Sequence, residues 1–283
     1  MRRLVVIAVP LAALALTAGA TGGRTVANAA CPTVTNGVFT VGTDNPAYPP
    51  WFGGAPAKGS KWKISEPTSG KGFESAVAYA VAKQLGYPRA KVVWKYTPFA
   101  RSYAPGKKGF DVDINEISFT PARAKVVDFS KSYYDVAQAV VVNKGTKAAA
   151  VRSLAGLRGL KLGVQIGTTS YDAIKNDLKP SSAPRVYDTN DKAVFALKSK
   201  QIDGLVVDLP TAFYVTAVQV PHSKILGQFP APPGGEHFGM VFAKGNPLAA
   251  CVDRGLSFLA KNGQLQRIQQ QWLAKATGAP VLR

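Results

Sequence analysis

Ser118, Thr120 and Arg123 stand close together at the end of the run DVDINEISF, within the segment Asp111–Asp135. The alternation over Asp111–Phe119 predicts a strand with its polar side chains on one face. Thr120 suits a helix cap and Pro121 the first helical position, which places Arg123 in the turn that follows. Two hydroxyls, free main-chain N–H groups and a guanidinium fork at one strand end make a trap for a carboxylate. A plainer reading of the same residues has Arg123 paired with a surface acid and Thr120 only capping its turn.

Further along, LGVQIGTT is an apolar run ending in Gly167, Thr168 and Thr169 at a helix start. Unpaired N–H groups at a helix start favour an anion, and Gly167 lets one approach the backbone. An ordinary helix cap explains the same residues. Asp208 ends the apolar run IDGLVV, where it either meets a cationic group or caps the helix opened by LPTAFY. The loop from Asp44 through Tyr48 to Trp51, with Phe99, supplies an acid and aromatic walls for an organic cation or an apolar side chain, or else simply packs on its prolines. Glu116 shares a strand face with Ser118. It either pairs with Arg123 or selects a positively charged or hydrogen-bond-donating group.

Motifs for covalent or metal chemistry are missing. His222 and His237 have no metal-ligand spacing around them, and no nucleophile elbow, P-loop or dinucleotide fingerprint occurs. No cofactor or metal is expected, and binding is favoured over catalysis.

Arg2 and Arg3 precede an apolar run over residues 4–16 and then small residues, as in a secretory signal. Cleavage after Ala18-Gly19-Ala20 or after Ala27-Asn28-Ala29 is compatible with that pattern. The run is too short to span a membrane, so an exported, soluble periplasmic or extracellular protein is expected. A lipid anchor on Cys31 is disfavoured, because Asn28 stands where an apolar residue is needed. Cys31 and Cys251 are the only cysteines of the exported chain, which points to one disulfide. Residues 1–29 contain Arg2, Arg3 and Arg24 and no acid, so their removal takes the net charge from +19 to +16. The basic residues are scattered rather than gathered in a patch, which argues against nucleic acid.

The elements that must position these residues alternate. Strands are predicted at 38–43, 92–96, 111–119, 137–143, 160–165, 186–187, 202–207 and 239–243. Helices are predicted at 72–85, 168–178, 191–200, 210–216, 247–261 and 263–276. Strands separated by helices imply parallel-type sheets with flanking helices, and two such cycles imply an α/β protein of two lobes with a cleft between their strand ends. The boundaries expected are a signal over 1–29, a first lobe over 30–134, a second over 135–237 and a return to the first over 238–283.

Taken together, VGTDNPAYPPW, GKGFESAVAYAVAKQLGY, FDVDINEISFTPARAKVVDFSKSYYD, LKLGVQIGTTSYD, LKSKQIDGLVVDLPTA, FGMVFAKGNPL and NGQLQRIQQQWL resemble the bacterial solute-binding proteins of family 3, in the family's order and over nearly the whole chain. The resemblance implies the two-lobed type II binding-protein fold, hinged near Tyr134–Val136 and Glu236–Phe238. It implies a monomer that delivers a polar amino acid to an ABC importer's permease. Arg123 would hold the ligand carboxylate with Ser118 and Thr168 or Thr169, and Asp208 the ammonium. Asp44, Tyr48, Trp51 and Phe99 would line the side-chain pocket. Family members usually carry a small residue where this chain has Glu116, and the segment between Phe52 and Gly70 is expanded. Asp44 and Glu116 lean toward a cationic or amide-bearing side chain. The resemblance also admits a dehydratase of cyclic carboxylates with Glu116 as proton donor, and a ligand sensor for a membrane receptor.

Overall fold

A computed structural model describes residues 31–232, 234–276 and 278–283. The predicted signal and both cleavage positions lie outside these residues. In chain order the elements are β1 (Phe39–Thr43), α1 (Phe73–Gln84), β2 (Val92–Tyr96), α2 (Phe99–Ser102), β3 (Val112–Asp113), α3 (Pro121–Ala124), β4 (Val127–Phe129), β5 (Tyr134–Val136) and β6 (Gln138–Asn143). The chain continues with α4 (Leu154–Leu157), β7 (Leu162–Gln165), α5 (Thr169–Asp172), β8 (Arg185–Tyr187), α6 (Asn190–Lys198), β9 (Gly204–Asp208), α7 (Leu209–Tyr214) and β10 (Ser223–Gln228). It closes with β11 (Glu236–Phe238), β12 (Val241–Ala243), α8 (Leu248–Lys261) and α9 (Gln264–Leu273).

Two five-stranded sheets form, in the orders β2-β1-β3-β12-β4 and β10-β6-β9-β7-β8. Each is mixed rather than parallel. β1 runs parallel to β2 and β3, and β7 to β8 and β9, but β12 is antiparallel to β3 and β4, and β6 to β9 and β10. The reversed strands β6 and β12 are those the chain enters directly from the crossing segments, without a helix to turn it round. Those segments, β5 and β11, lie side by side as a two-stranded antiparallel ribbon.

Sequence periodicity explains the layers. In β6 every residue is buried; Ala139 and Val141 join one apolar cluster and Val140 and Val142 another, so helices cover both faces of the second sheet. The first sheet packs an aromatic core that includes Trp51, Phe52, Phe73, Trp94, Tyr133, Tyr134, Phe238 and Phe242. Leu248, Cys251, Val252, Gly255, Leu256 and Leu259 recur at helical spacing along α8, which packs on α1 and α9. Cys251 bonds to Cys31 with the Cα atoms 5.9 Å apart, joining the start of the described chain to this late helix.

Two local expectations change. The strand predicted over 111–119 is ladder-paired only at Val112–Asp113, because Glu116 takes φ 53° and turns the backbone out of the extended region. The chain's end does not stay with the first sheet: Val281 bridges to Gln228 and Leu282 enters the second sheet's core, giving partners to the edge of β10.

Candidate functional site

Thr120 caps α3 as its residue type predicts, its Oγ1 accepting the Arg123 N–H at 3.1 Å. The turn aims the Arg123 side chain into the gap between the lobes. There Nη1 donates to the Ser118 carbonyl (2.7 Å) and Nη2 to the Gly167 carbonyl of the other lobe (2.8 Å). The guanidinium carbon lies 4.3 Å from the Tyr103 ring centre and 5.6 Å from that of Phe99. Gly167 has φ 73°, and a Cβ there would stand 2.7 Å from the Tyr103 hydroxyl, so a side chain at this position would break the approach of the lobes. Burial holds Arg123 below the usual guanidinium range.

Beside the guanidinium, Ser118 Oγ lies 3.2 Å from Thr169 Oγ1 and donates to Glu236 Oε1 at 2.7 Å. Gln138 Nε2 donates to Asp208 Oδ1 (2.7 Å) and to the Glu236 carboxylate (3.1 Å). Its Oε1 accepts the Ser170 hydroxyl. Thr168 caps α5 through the Tyr171 N–H. Residues from both sheets and from the crossing ribbon thus form one hydrogen-bonded clasp.

A cavity of about 320 Å³ opens between the lobes next to this clasp, and Asp44, Tyr48, Phe99, Glu116, Thr168 and Asp208 line it together with Asn115, Asp188, Asp191, Thr211 and Tyr214. Five of its lining residues are carboxylates and none is Lys or Arg. Tyr48 donates to the Asp191 carboxylate at 2.5 and 2.6 Å, a contact from one lobe to the other. Glu116 accepts the Thr211 hydroxyl at 2.7 Å, and Thr211 in turn accepts the Trp51 indole N–H at 3.0 Å. Below the cavity the buried Glu74 accepts the Glu116 N–H (2.7 Å) and the Tyr133 hydroxyl (2.5 Å).

Burial raises five acids here. The Glu74 carboxyl is pushed up to about 7, its hydrogen bonds from Tyr133 and Glu116 opposing the shift. Asp208 rises to about 8 through burial and then the nearby Glu236 charge. Glu116 rises well above the carboxylate range, first by burial and then by Asp208 and Glu74. Asp113, beneath them, rises through burial, Glu74 and Asp44, and burial raises Asp44 as well.

Several sequence readings are resolved by this geometry. Arg123 is not paired with a surface acid, and Glu116 does not bridge to it; the carboxylate goes to Thr211 instead. Asp208 precedes α7 without a side-chain capping bond, which leaves its carboxylate for Gln138 and the cavity. Trp51 is not a pocket wall. It is 1% exposed and packs edge-on against Phe73, Tyr134 and Phe238, because its loop folds the ring into the first lobe's core. Thr120 and Thr169 line a separate cavity of about 210 Å³, with Gln138 and Glu236, rather than the larger one. Among the described residues, no group of three or more His, Cys, Asp or Glu side chains could hold a metal ion, and no helix is long and apolar enough to cross a membrane.

Sequence reasoning missed Gln138, Glu236, Glu74, Tyr103, Asp191 and Thr211. Gln138 was detectable, as a polar residue opening the otherwise apolar run AVVV, where a buried amide needs partners. The acids Glu74 and Glu236 carry no local signal, since their partners lie 42 and 118 residues away in the chain.

The profile of the bacterial extracellular solute-binding proteins, family 3, matches residues 40–275. The glutamine-binding protein of an ABC transporter from Bacillus subtilis is 27% identical over 215 residues, covering 74% of this chain and 76% of its own. A solved ancestral arginine-binding protein bound to glutamine superposes with a TM-score of 0.67 at 30% identity, over 84% of this chain and 98% of its own. An ancestral amino acid-binding protein described as a precursor of cyclohexadienyl dehydratase does so with a TM-score of 0.66 at 28% identity, over 83% and 95%. On the length of that profile match, in a chain whose two lobes enclose a polar cleft, this protein belongs to the bacterial extracellular solute-binding proteins of family 3.

Proposed function

We propose that this protein captures an amino acid in the interlobe cleft outside the cytoplasmic membrane and delivers it to an ABC importer. The observation that carries the reading is the placement of a guanidinium and a carboxylate at one cleft, Arg123 on the first lobe and Asp208 on the second, joined by groups from both. A guanidinium has five N–H donors, and the two main-chain carbonyls use only some of them. The remaining donors, with Ser118 and Thr168, hold the ligand carboxylate; Asp208 holds the ammonium. Asp44, Tyr48 and Phe99 face the side chain. A ligand that touches both lobes stabilises their closed arrangement, with the β5–β11 ribbon as the hinge. The relatives named above, described as binding glutamine or arginine, support the ligand class.

Calorimetric titration with the proteinogenic amino acids tests this. One or more should bind, and Asp208→Ala and Arg123→Ala should each abolish the heat. Unchanged affinity in both variants would remove the site assignment.

A second reading, an enzyme on this scaffold, is favoured by one observation: Glu116 lines the cavity, and burial raises its carboxyl well above the carboxylate range, the direction a proton donor requires. Incubation with prephenate or arogenate and detection of the aromatic product decides between them; no product leaves the binding role.

A further inference from the structure

Glu116 sits in a conformation that suits glycine. Its φ of 53° lies in the left-handed region, which strains a residue bearing a Cβ. The strain is held in place from both sides. Glu74 of α1 fixes the Glu116 N–H from the first lobe, and Thr211 of α7 meets the carboxylate from the second. The charged and titratable groups facing Glu116 are Asp208 at the end of β9, Glu74 of α1 and Tyr133 before β5. None of these is basic, and the lining of the cavity contains no Lys or Arg. The local surroundings are therefore acidic in a chain whose net charge is strongly positive.

We propose that Glu116 is the specificity-determining residue of this cavity: it holds a second positive charge on the ligand, beside the ammonium held by Asp208, and so selects an amino acid with a cationic side chain. The proposal rests on the amino-acid reading above. Asp208 feels the Arg123 charge but Glu116 faces no cation, so two carboxylates at one cavity do not both ionise cheaply, and protons relieve them. A ligand with one ammonium neutralises one carboxylate. A second cationic group neutralises the other and displaces the proton it carried. Binding of the preferred ligand thus competes with protons, so affinity falls as pH is lowered and binding releases protons to the buffer.

The test is calorimetry with L-arginine, L-lysine, L-glutamine and L-glutamate, near neutral pH, in two buffers of different ionisation enthalpy. The natural protein should bind arginine or lysine about 10- to 100-fold more tightly than glutamine, as expected for a charge-assisted contact. The heat should differ between buffers by an amount that reports proton release. Glu116→Gln keeps an acceptor for Thr211, and in it the arginine-to-glutamine ratio should collapse toward one and the proton release should shrink. Glu116→Gly, which relieves the left-handed backbone, should lose the same preference without a fall in Tm, so that strain or misfolding is excluded as the cause. A cationic preference that survives both substitutions, or a natural protein that prefers glutamine or glutamate, overturns the proposal while leaving amino-acid binding intact. If none of the four ligands, nor any other amino acid, binds, the underlying reading fails and this inference falls with it.

Discussion

Around Arg123, the guanidinium, Ser118, Thr169, Gln138 and Glu236 find partners in the opposite lobe or the crossing ribbon, whereas the acidic floor beneath the cavity does not satisfy its own oxygens. Glu74 Oε2 and Thr43 Oγ1 lack a hydrogen-bond partner among the described residues. The clasp meets its demands with main-chain carbonyls, hydroxyls, the Gln138 amide and the Glu236 carboxylate, so it sets how the lobes meet. The floor gathers acids and unmet acceptors in a buried place, which costs stability until a proton or a cation arrives. One region defines the closed geometry; the other decides what is worth closing on.

This contrast can be broken most severely at Arg123. Arg123→Ala leaves the Ser118 and Gly167 carbonyls without their shared donor, and should cost about 3 kcal/mol or more of binding free energy, a loss of over about 100-fold in calorimetry. Its Tm should fall as well. A control lies outside both regions: replacing Cys31 and Cys251 by Ser opens a loop of 220 residues and should remove about 2–4 kcal/mol of stability in denaturant titration. Amino-acid affinity should stay unchanged, and a parallel loss would tie the site to the distant α8 packing.

The opposite signature is expected at the acidic end. Asp208→Asn should weaken binding by about 1.5–3 kcal/mol but raise the Tm of the ligand-free protein at mildly alkaline pH, where it deletes a buried charge crowded by Glu236. A lowered Tm would show that the floor is as well satisfied as the clasp. The pH dependence follows from the same acids. The folded-state values of Glu74 and Asp208 are raised from 4.5 to about 7 and from 3.8 to about 8, so the native state binds more protons than the unfolded state between those limits. Their contribution is therefore fully favourable below the unfolded values and is lost as pH rises through the folded ones. Ligand-free Tm should decline from mildly acidic to mildly alkaline pH, and Glu74→Gln should flatten the lower part of that slope. The smallest effect is expected at Tyr48→Phe, which removes an exposed hydroxyl contact to Asp191 and should cost no more than about 1 kcal/mol of affinity.

Legibility in the sequence followed the range of the interactions. The Thr120 cap, the glycine at 167, the strand ending in Asp208 and the burial of β6 all rest on neighbours in the chain, and residue type plus spacing exposed them. The same segments gave no sign that Glu116 would bend the run DVDINEISF, because its partner Glu74 sits on α1. Trp51 looked like a pocket wall from its loop, yet its ring is claimed by Phe73, Tyr134 and Phe238 from three other parts of the chain. Gln138 was the intermediate case, a polar residue visible in an apolar strand but with partners that only the assembled lobes supply.

The sequence by itself determined that this is a two-lobed α/β chain with its polar chemistry at strand ends, because periodicity, caps and turn residues act over a few positions. Tertiary structure alone decided which of those polar groups satisfy one another and which are left to meet a ligand. Two Arg123 donors were tied to carbonyls from opposite lobes, which leaves the others for a ligand, while Glu116 and Asp208 were brought to one cavity with no basic side chain in its lining. The physical reason is that hydrogen bonds and charges act through space, and space between lobes is set by the packing of residues far apart in the chain.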